Sequence, residues 1–165
     1  MLQRWREILD ARDARQTTLT RALNAGCPAT LFVSLNIPGR EKTPPGAEAL
    51  FSWMSQQIET RFPVATRLAS FSDALGPCRI LGLADDPVAV KRQCVELESE
   101  HPSSRLIDLD IYTPTGTQID RASLGLAARS CLLCERRAVD CIRAGHHGFD
   151  EVIARANELL APFRT

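Results

Sequence analysis

Apolar residues recur along this chain with two different periods, and the places where the period switches mark out its elements. From about Leu2 to Asn24 the apolar positions Leu2, Trp5, Ile8, Leu9, Leu19 and Leu23 fall at helical spacing, and the run ends at Gly26, which predicts a long first helix. Ala29 to Ile37 is almost continuously apolar, the pattern of a central strand covered on both faces. A loop from Pro38 to Gly46 follows, and then a helix over about 47–61 with Leu50, Phe51, Met54 and Ile58 inward. Val64 to Ser72 and Cys78 to Ala84 read as two strands around the turn residues 73–77. Asp86 is placed as an N-cap with Pro87 at the first helical position. That helix is expected to reach about His101, with Val90, Cys94 and Leu97 inward and Pro102 beyond its end. The stretch 107–112 has period two, then Pro114-Thr115-Gly116-Thr117 makes a turn and Gln118 to Arg121 a second short strand. The segment from 122 onward reads as a helical C-terminal part, closing in a helix to about Leu160 whose stripe is Phe149, Val152, Ile153, Ala156, Leu159 and Leu160. Adjacent hairpins interleaved with helices predict a single α+β domain over 1–165, its mixed or antiparallel sheet covered by helices, and argue against a doubly wound parallel sheet.

Composition narrows the classes of function. With 165 residues, 20 basic and 20 acidic side chains and only 5% aromatic content, the chain lacks the basic field and stacking surface of a nucleic-acid binder. Lys42 and Lys91 are its only lysines, and every other basic residue is arginine. Arginine's bidentate fork suits a phosphate-rich small ligand, although a codon bias produces the same composition. Six cysteines occur without an apolar leader or a membrane-length run, which points to the cytoplasm and to reduced thiols.

The period-two stretch carries the sharpest chemistry. Alternation puts Asp108 and Asp110 on one face and Ile107, Leu109 and Ile111 on the other. Two carboxylates side by side on a strand repel one another unless a cation shares the space, and carboxylate, water and substrate phosphate form the usual Mg²⁺ ligand set. A solvated strand face is the bland alternative, weakened because Asp is depleted in strands. Arg12, Arg15 and Gln16 share a face of the first helix, either as a two-arginine phosphate clamp or as an exposed, salt-bridged surface. Gly39 and Lys42 sit in the loop leaving the central strand, where they suit a ligand or a plain turn.

Cys131, Cys134, Cys141 and His147 have the spacing C-x2-C-x6-C-x5-H. This matches a Cys₃His zinc set. The same positions form a stripe of small core residues on one helix, and the packed helix is the first expectation. In an unbroken helix Cys131 and Cys141 would lie about 15 Å apart, so zinc requires the chain to break near Cys134. A Cys131–Cys134 redox pair ranks behind both, without the strand–turn–helix context it needs.

Several blocks together resemble the holo-citrate lyase acyl carrier protein synthase family, the apo-citrate lyase phosphoribosyl-dephospho-CoA transferases. They are Arg12-Asp-x-Arg15-Gln16; Asn36-Ile-Pro-Gly39-x-x-Lys42; Glu96-x-Glu98-x-x-His101-Pro102; Arg105-Leu-x-Asp108-x-Asp110; and the run from Leu124 through Arg129, Cys131, Cys134, Cys141 and Arg143 to His147. The sequence departs from the family's pattern at Ser103-Ser104, where Leu-Gly is usual, at Arg40 in place of proline, and at Ala127-Ala128 in place of a proline pair. The resemblance implies transfer of 2′-(5″-triphosphoribosyl)-3′-dephospho-CoA to a serine of the apo citrate lyase acyl carrier subunit, with release of diphosphate. It further implies nucleotidyltransferase-type chemistry with Mg²⁺ on Asp108 and Asp110, although the glycine-serine element that usually precedes such a pair is not evident. On this reading Arg12, Arg15 and Arg105 grip phosphate, Gly39 and Lys42 approach the triphosphate or ribose, and Glu98 or His101 is the base. Glu98 is alternatively a third carboxylate ligand or a solvated helix end, and His101 a helix cap. The rivals are the same transfer to a malonate decarboxylase carrier protein and a non-catalytic module stapled by zinc. No membrane partner is expected.

Overall fold

The computed structural model of the chain describes residues 2–164. Its strands form one five-stranded sheet in the order β2-β3-β1-β4-β5, antiparallel at every pairing: β1 (Ala29–Leu35), β2 (Thr66–Asp73), β3 (Gly76–Leu83), β4 (Ile107–Tyr112) and β5 (Gln118–Ile119). The α+β class and the hairpin at 107–119 follow the sequence pattern. The apolar strand Ala29–Leu35 is indeed the centre of the sheet, flanked by β3 and β4.

Alternation along the strands sends two sets of side chains to opposite faces. Leu31 and Val33 of β1 and Ile107, Leu109 and Ile111 of β4 are fully buried under α2 (Ala47–Arg61), α3 (Pro87–Glu100) and α5 (Phe149–Leu160). Leu50, Met54 and Ile58 of α2, Val90, Cys94 and Leu97 of α3, and Leu159 and Leu160 of α5 complete this main core. The other face carries a smaller cluster in which Leu19 and Ala22 of α1 (Leu2–Leu23) meet Ile80, with Phe32 and Tyr112 beside them. Asp108 and Asp110 belong to this second face, because they stand opposite Ser34 and Phe32 of β1.

α1 differs from its expected face. Its buried positions are Ile8, Ala11, Arg15, Leu19 and Ala22, while Trp5 and Leu9 are 47% and 55% exposed. The side chain of Leu2 lies outside the described residues. The buried stripe is built on alanines and an arginine, which a search for large apolar residues passes over. α3 begins as expected, with the Asp86 carboxylate accepting the Ala89 N–H at 2.9 Å. Ser104, which stands where the family's pattern has glycine, lies within a 3₁₀ turn over 102–106, and no non-glycine residue among those described has positive φ. The turn therefore needs no glycine at that position.

The β2–β3 turn is tighter than predicted. Asp73 pairs directly with Gly76, so only Ala74 and Leu75 lie outside the strands. Gly76 has φ +90°, and a Cβ there would come within 2.9 Å of Thr43. Arg15 locks this turn to α1. Its Nε and Nη2 donate to both Asp73 oxygens at 2.8 Å, and Nη2 also donates to the Gly76 carbonyl at 2.6 Å. No helix among the described residues is long and apolar enough to cross a membrane.

Removing the guanidinium would leave the half-buried Asp73 and the Gly76 carbonyl unpartnered. Arg15→Met is expected to lower stability by about 2–4 kcal/mol in urea unfolding, as for breaking a buried ion pair. A loss below about 1 kcal/mol would contradict this role.

Candidate functional site

β5 is only two residues long and covers only Ile111 and Tyr112, so the outer edge of β4 is bare at Ile107 and Leu109. Side chains replace the missing strand. Arg129 Nη2 donates to the Ile107 carbonyl at 2.9 Å, and Lys91 Nζ donates to the Leu109 carbonyl at 2.7 Å. Both cations then meet Glu98, which is buried. Arg129 lies 2.7 Å from Glu98 Oε1, Arg121 2.9 Å from Oε2, and Lys91 3.9 Å from Oε1. Arg129 also reaches Asp108 through Nη1 at 2.8 Å, so one guanidinium ties the α3 carboxylate to the β4 carboxylate.

The carboxylate pair lines two hollows, and a third adjoins them through Asn36, Lys42 and Arg129. The first, about 290 Å³, lies between α1 and the sheet and is lined by Arg12, Arg15, Gln16, Ser34, Asn36, Lys42, Tyr112 and both aspartates. The second, about 410 Å³, opens towards β5 and adds Lys91, Glu98, Gln118, Arg121 and Arg129. The third, about 500 Å³, runs from Asn36 and Arg129 past Gly39 and Arg105 to Cys131, His147, Ile142 and Phe149.

Each aspartate has one occupied and one free oxygen. Asp108 Oδ1 accepts from Arg129 and from Asn36 Nδ2 at 3.2 Å, and Asp110 Oδ1 accepts from Gln118 Nε2 at 2.9 Å. Among the described residues neither Oδ2 accepts a hydrogen bond. Burial, and then the charge of Asp108, push the Asp110 carboxyl up from 3.8 to about 6. Burial, followed by the two aspartates, raises the Tyr112 phenol. Burial, followed by the charge of Arg12, lowers the Lys42 ammonium, whose Nζ donates to the Ile37 carbonyl at 2.7 Å. Two hard oxygens facing open space beside Arg12 and Lys42 can hold a divalent cation and a polyphosphate.

The structure gathers Arg12, Arg15, Lys42, Asp108 and Asp110 around one hollow and assigns other surroundings to the remaining candidates. Arg15 is committed to Asp73, as described above. Arg105 clamps the chain at Ser130, donating to its Oγ at 3.1 Å and to its carbonyl, and more weakly to the Cys131 carbonyl. Gly39, with φ +88°, faces α5, and a Cβ there would lie 3.2 Å from Ile153 Cδ1; its freedom serves helix packing. Glu98 has both oxygens held by cations and is neither solvated nor open as a base. His101 Nδ1 caps the 3₁₀ turn by accepting the Ser103 N–H at 3.1 Å. Its ring packs against Trp53 and Phe163, which lie on the core side of the sheet, opposite the aspartates.

Lys91, Arg121, Arg129, Asn36 and Gln118 join the site without having been singled out for it. One sequence signal existed: both lysines of this arginine-rich chain lie here. Nothing in the linear order brings Arg121 and Arg129 back onto α3.

The continuous helix expected through Cys131 and Cys141 does not form. Residues 125–137 are irregular and α4 (Ala138–Ala144) begins only afterwards. Cys131 N–H donates to the Arg136 carbonyl at 2.7 Å and Ala138 N–H to the Arg129 carbonyl at 3.0 Å, so the chain doubles back at Cys134. One ligand atom from each of Cys131, Cys134, Cys141 and His147 then lies within 4.8 Å of every other, with Cys134 Sγ 3.5 Å from Cys141 Sγ and 3.3 Å from His147 Nε2. Around a tetrahedral ion with metal–sulfur bonds near 2.3 Å, sulfurs stand about 3.7 Å apart. Burial pushes the Cys131 thiol up, but N–H donation from Leu133 and Cys134 brings it net below its ordinary value. This cluster can bind a metal ion.

Fold and site thus define an antiparallel α+β protein with a strand-borne carboxylate pair ringed by arginine and lysine. The family model described as CitX, apo-citrate lyase phosphoribosyl-dephospho-CoA transferase, matches residues 3–163. The chain is 37% identical over 161 residues to the apo-citrate lyase phosphoribosyl-dephospho-CoA transferase of Citrobacter koseri, covering 93% of this chain and 86% of that protein. It is 31% identical over 163 residues to Protein CitXG of Leuconostoc mesenteroides subsp. cremoris, of whose length it spans 35%. A transferase of the same name from Escherichia coli O139:H28 is 38% identical over 92 residues, 56% of this chain and 50% of that protein. The chain belongs to the apo-citrate lyase phosphoribosyl-dephospho-CoA transferase family.

A raised Asp110 means that the folded state takes up a proton more readily than the unfolded chain, so its contribution to stability is lost as pH rises from about 4 through about 6. In the presence of chelator, Asp110→Asn is expected to be more stable than the parent near neutral pH, by on the order of 2 kcal/mol. The gain should shrink towards zero as pH falls to about 4. Thermal melts across that pH range check this, and a pH-independent difference would contradict it.

Proposed function

We propose that this chain transfers the triphosphoribosyl-dephospho-CoA precursor to a serine of the apo citrate lyase acyl carrier protein as a single transferase domain. The observation that carries the reading is the pair of free Oδ2 atoms, on Asp108 and Asp110, facing a hollow lined by Arg12 and Lys42. In the reaction the serine Oγ forms a bond to the α-phosphorus, the bond from that phosphorus to the β-bridging oxygen breaks, and diphosphate leaves. Arg12 and Lys42 hold the phosphates, and Arg15 keeps α1 against the hairpin that closes the hollow. Glu98, whose oxygens are held by cations, is closed to the role of base, and the proton the serine loses passes to solvent. Glu98 and Arg121 instead keep Arg129 against Asp108.

The two carboxylates fit Mg²⁺: both are hard oxygen donors, each has a free oxygen, and burial of the pair leaves negative charge for a cation to offset. Asp108 and Asp110 would hold the ion, and the chemistry it supplies is neutralisation of the diphosphate as it leaves. This would make the protein a nucleotidyltransferase in chemistry. The Cys₃His set suits Zn²⁺ in a structural role, and the thiols it needs stay reduced in the cytoplasm, where we place the protein.

Asp108→Asn and Asp110→Asn should each lower diphosphate release by about 10²-fold or more with Mg²⁺, labelled precursor and apo citrate lyase carrier, while keeping cooperative unfolding. Near-normal transfer by either variant would sink the metal-pair proposal. Apo malonate decarboxylase carrier in the same assay should remain unmodified, and preferential labelling of it would reassign the acceptor. Metal analysis of protein purified without chelator should find about one zinc per chain, lost in Cys134→Ser.

A further inference from the structure

Residues 125–155 contain one buried apolar side chain, Cys141. Their single helix before α5, α4, has seven residues, too short to persist by itself. Ile142 and Phe149 are 79% and 62% exposed, and Leu132 is the segment's one partly buried apolar side chain packed on the main core, so apolar burial gives this segment little hold. Yet Arg129, the residue that bridges Asp108, Ile107 and Glu98, sits at its base, two positions before Cys131. A flexible segment would not hold a guanidinium on three partners at 2.7–2.9 Å.

A further constraint beyond this slight packing is needed to fix it, and the contacts show the route. The Arg129 carbonyl accepts from Ala138 at 3.0 Å, just behind the Cys131–Cys134 turn, and Ser130 pairs with Arg137 across it. Arg105, one turn before the aspartates, clamps Ser130 and Cys131 from the other side. The backbone flanking Arg129 is therefore the backbone that the four metal-binding side chains would hold together.

We propose that the Cys131–Cys134–Cys141–His147 metal site is a positioning device for the transfer site: by fixing the 129–138 turn it holds Arg129 on Asp108 and on the bare edge of β4. This rests on the transferase reading for its kinetic consequence, but its structural consequence does not. Without the ion the turn opens, Arg129 leaves Asp108 and the Ile107 carbonyl, and the carboxylate loses the partner that orients it. Arg129 is a positioning residue here, and the metal acts through it.

The test compares zinc-loaded full-length protein with protein stripped by chelator under a reductant that keeps the thiols apart. Hydrogen exchange followed by mass spectrometry should show faster exchange in 125–147 and also in 107–112 after stripping, with the β2–β3 hairpin unchanged. Faster exchange confined to 125–147 would overturn the proposal, as would finding no zinc in the loaded protein. This arm is independent of catalysis. With precursor and carrier, stripping should lower kcat by about 10–100-fold with a smaller change in KM, the range for loss of a residue that orients a first ligand. Arg129→Ala should cause a comparable loss, and stripping Arg129→Ala should add less than about 3-fold more, because both remove the same interaction. Additive losses would overturn the coupling. Protein that shows the exchange pattern but transfers nothing even when zinc-loaded would refute the transferase reading and leave the coupling standing. Cys94→Ser, a thiol outside the cluster, should retain full zinc.

Discussion

The structure depends on how the bare edge of β4 is closed. A strand whose outer neighbour is two residues long exposes carbonyl groups that must find donors. Arg129 and Lys91 supply them, and two cations brought that close to one another need a counter-ion, which Glu98 provides from α3. Once Arg129 is placed for that purpose its second nitrogen reaches Asp108. A repair to a sheet edge thus becomes the orientation of a functional carboxylate, and α3, β4 and the C-terminal segment are joined through one guanidinium.

The aspartate pair shows the opposite tendency. Asp108 and Asp110 stand on the same strand face and are partly buried, and each uses one oxygen as acceptor and leaves the other without a donor. A fold selected for stability alone would pair them fully or replace them. Burial, and then the neighbouring negative charge, push Asp110 to about 6 and raise Tyr112, the pattern of a site kept incomplete for a cation and an anionic ligand. Arg15 illustrates the contrast on the opposite wall of the hollow: its guanidinium is fully engaged by a hairpin turn, and it stabilises the wall instead of offering itself to a ligand.

Much of this was legible in the sequence, and the reasons are local. Period-two alternation at 107–112 identified the hairpin and the face of the acid pair, continuous apolarity at 29–37 identified the central strand, and the Asp86-Pro87 start placed α3. The matching family blocks named the residues around the first hollow. What misled were patterns that two arrangements share. Arg12 and Arg15 stand at the same helical spacing, yet one lines the hollow with its charge free for a ligand and the other is buried against Asp73. Cysteines at 131, 134 and 141 fit a helical stripe, but no side chain of 125–137 is fully buried, and the chain turns back at Cys134 instead of packing as a helix.

The sequence by itself determined which residues could do chemistry and, on the 107–112 strand, which face they occupy, since alternation acts over a few residues. Only the tertiary structure decided which of those residues are already spent on the fold. Arg15, Arg105, Glu98 and His101 all bear groups suited to phosphate or proton transfer, and each is engaged by partners between 2 and 61 positions away, although the buried Nε of Arg105 has none. Hydrogen bonds and ion pairs form between groups that the folded backbone brings together, and linear spacing holds no record of those distances.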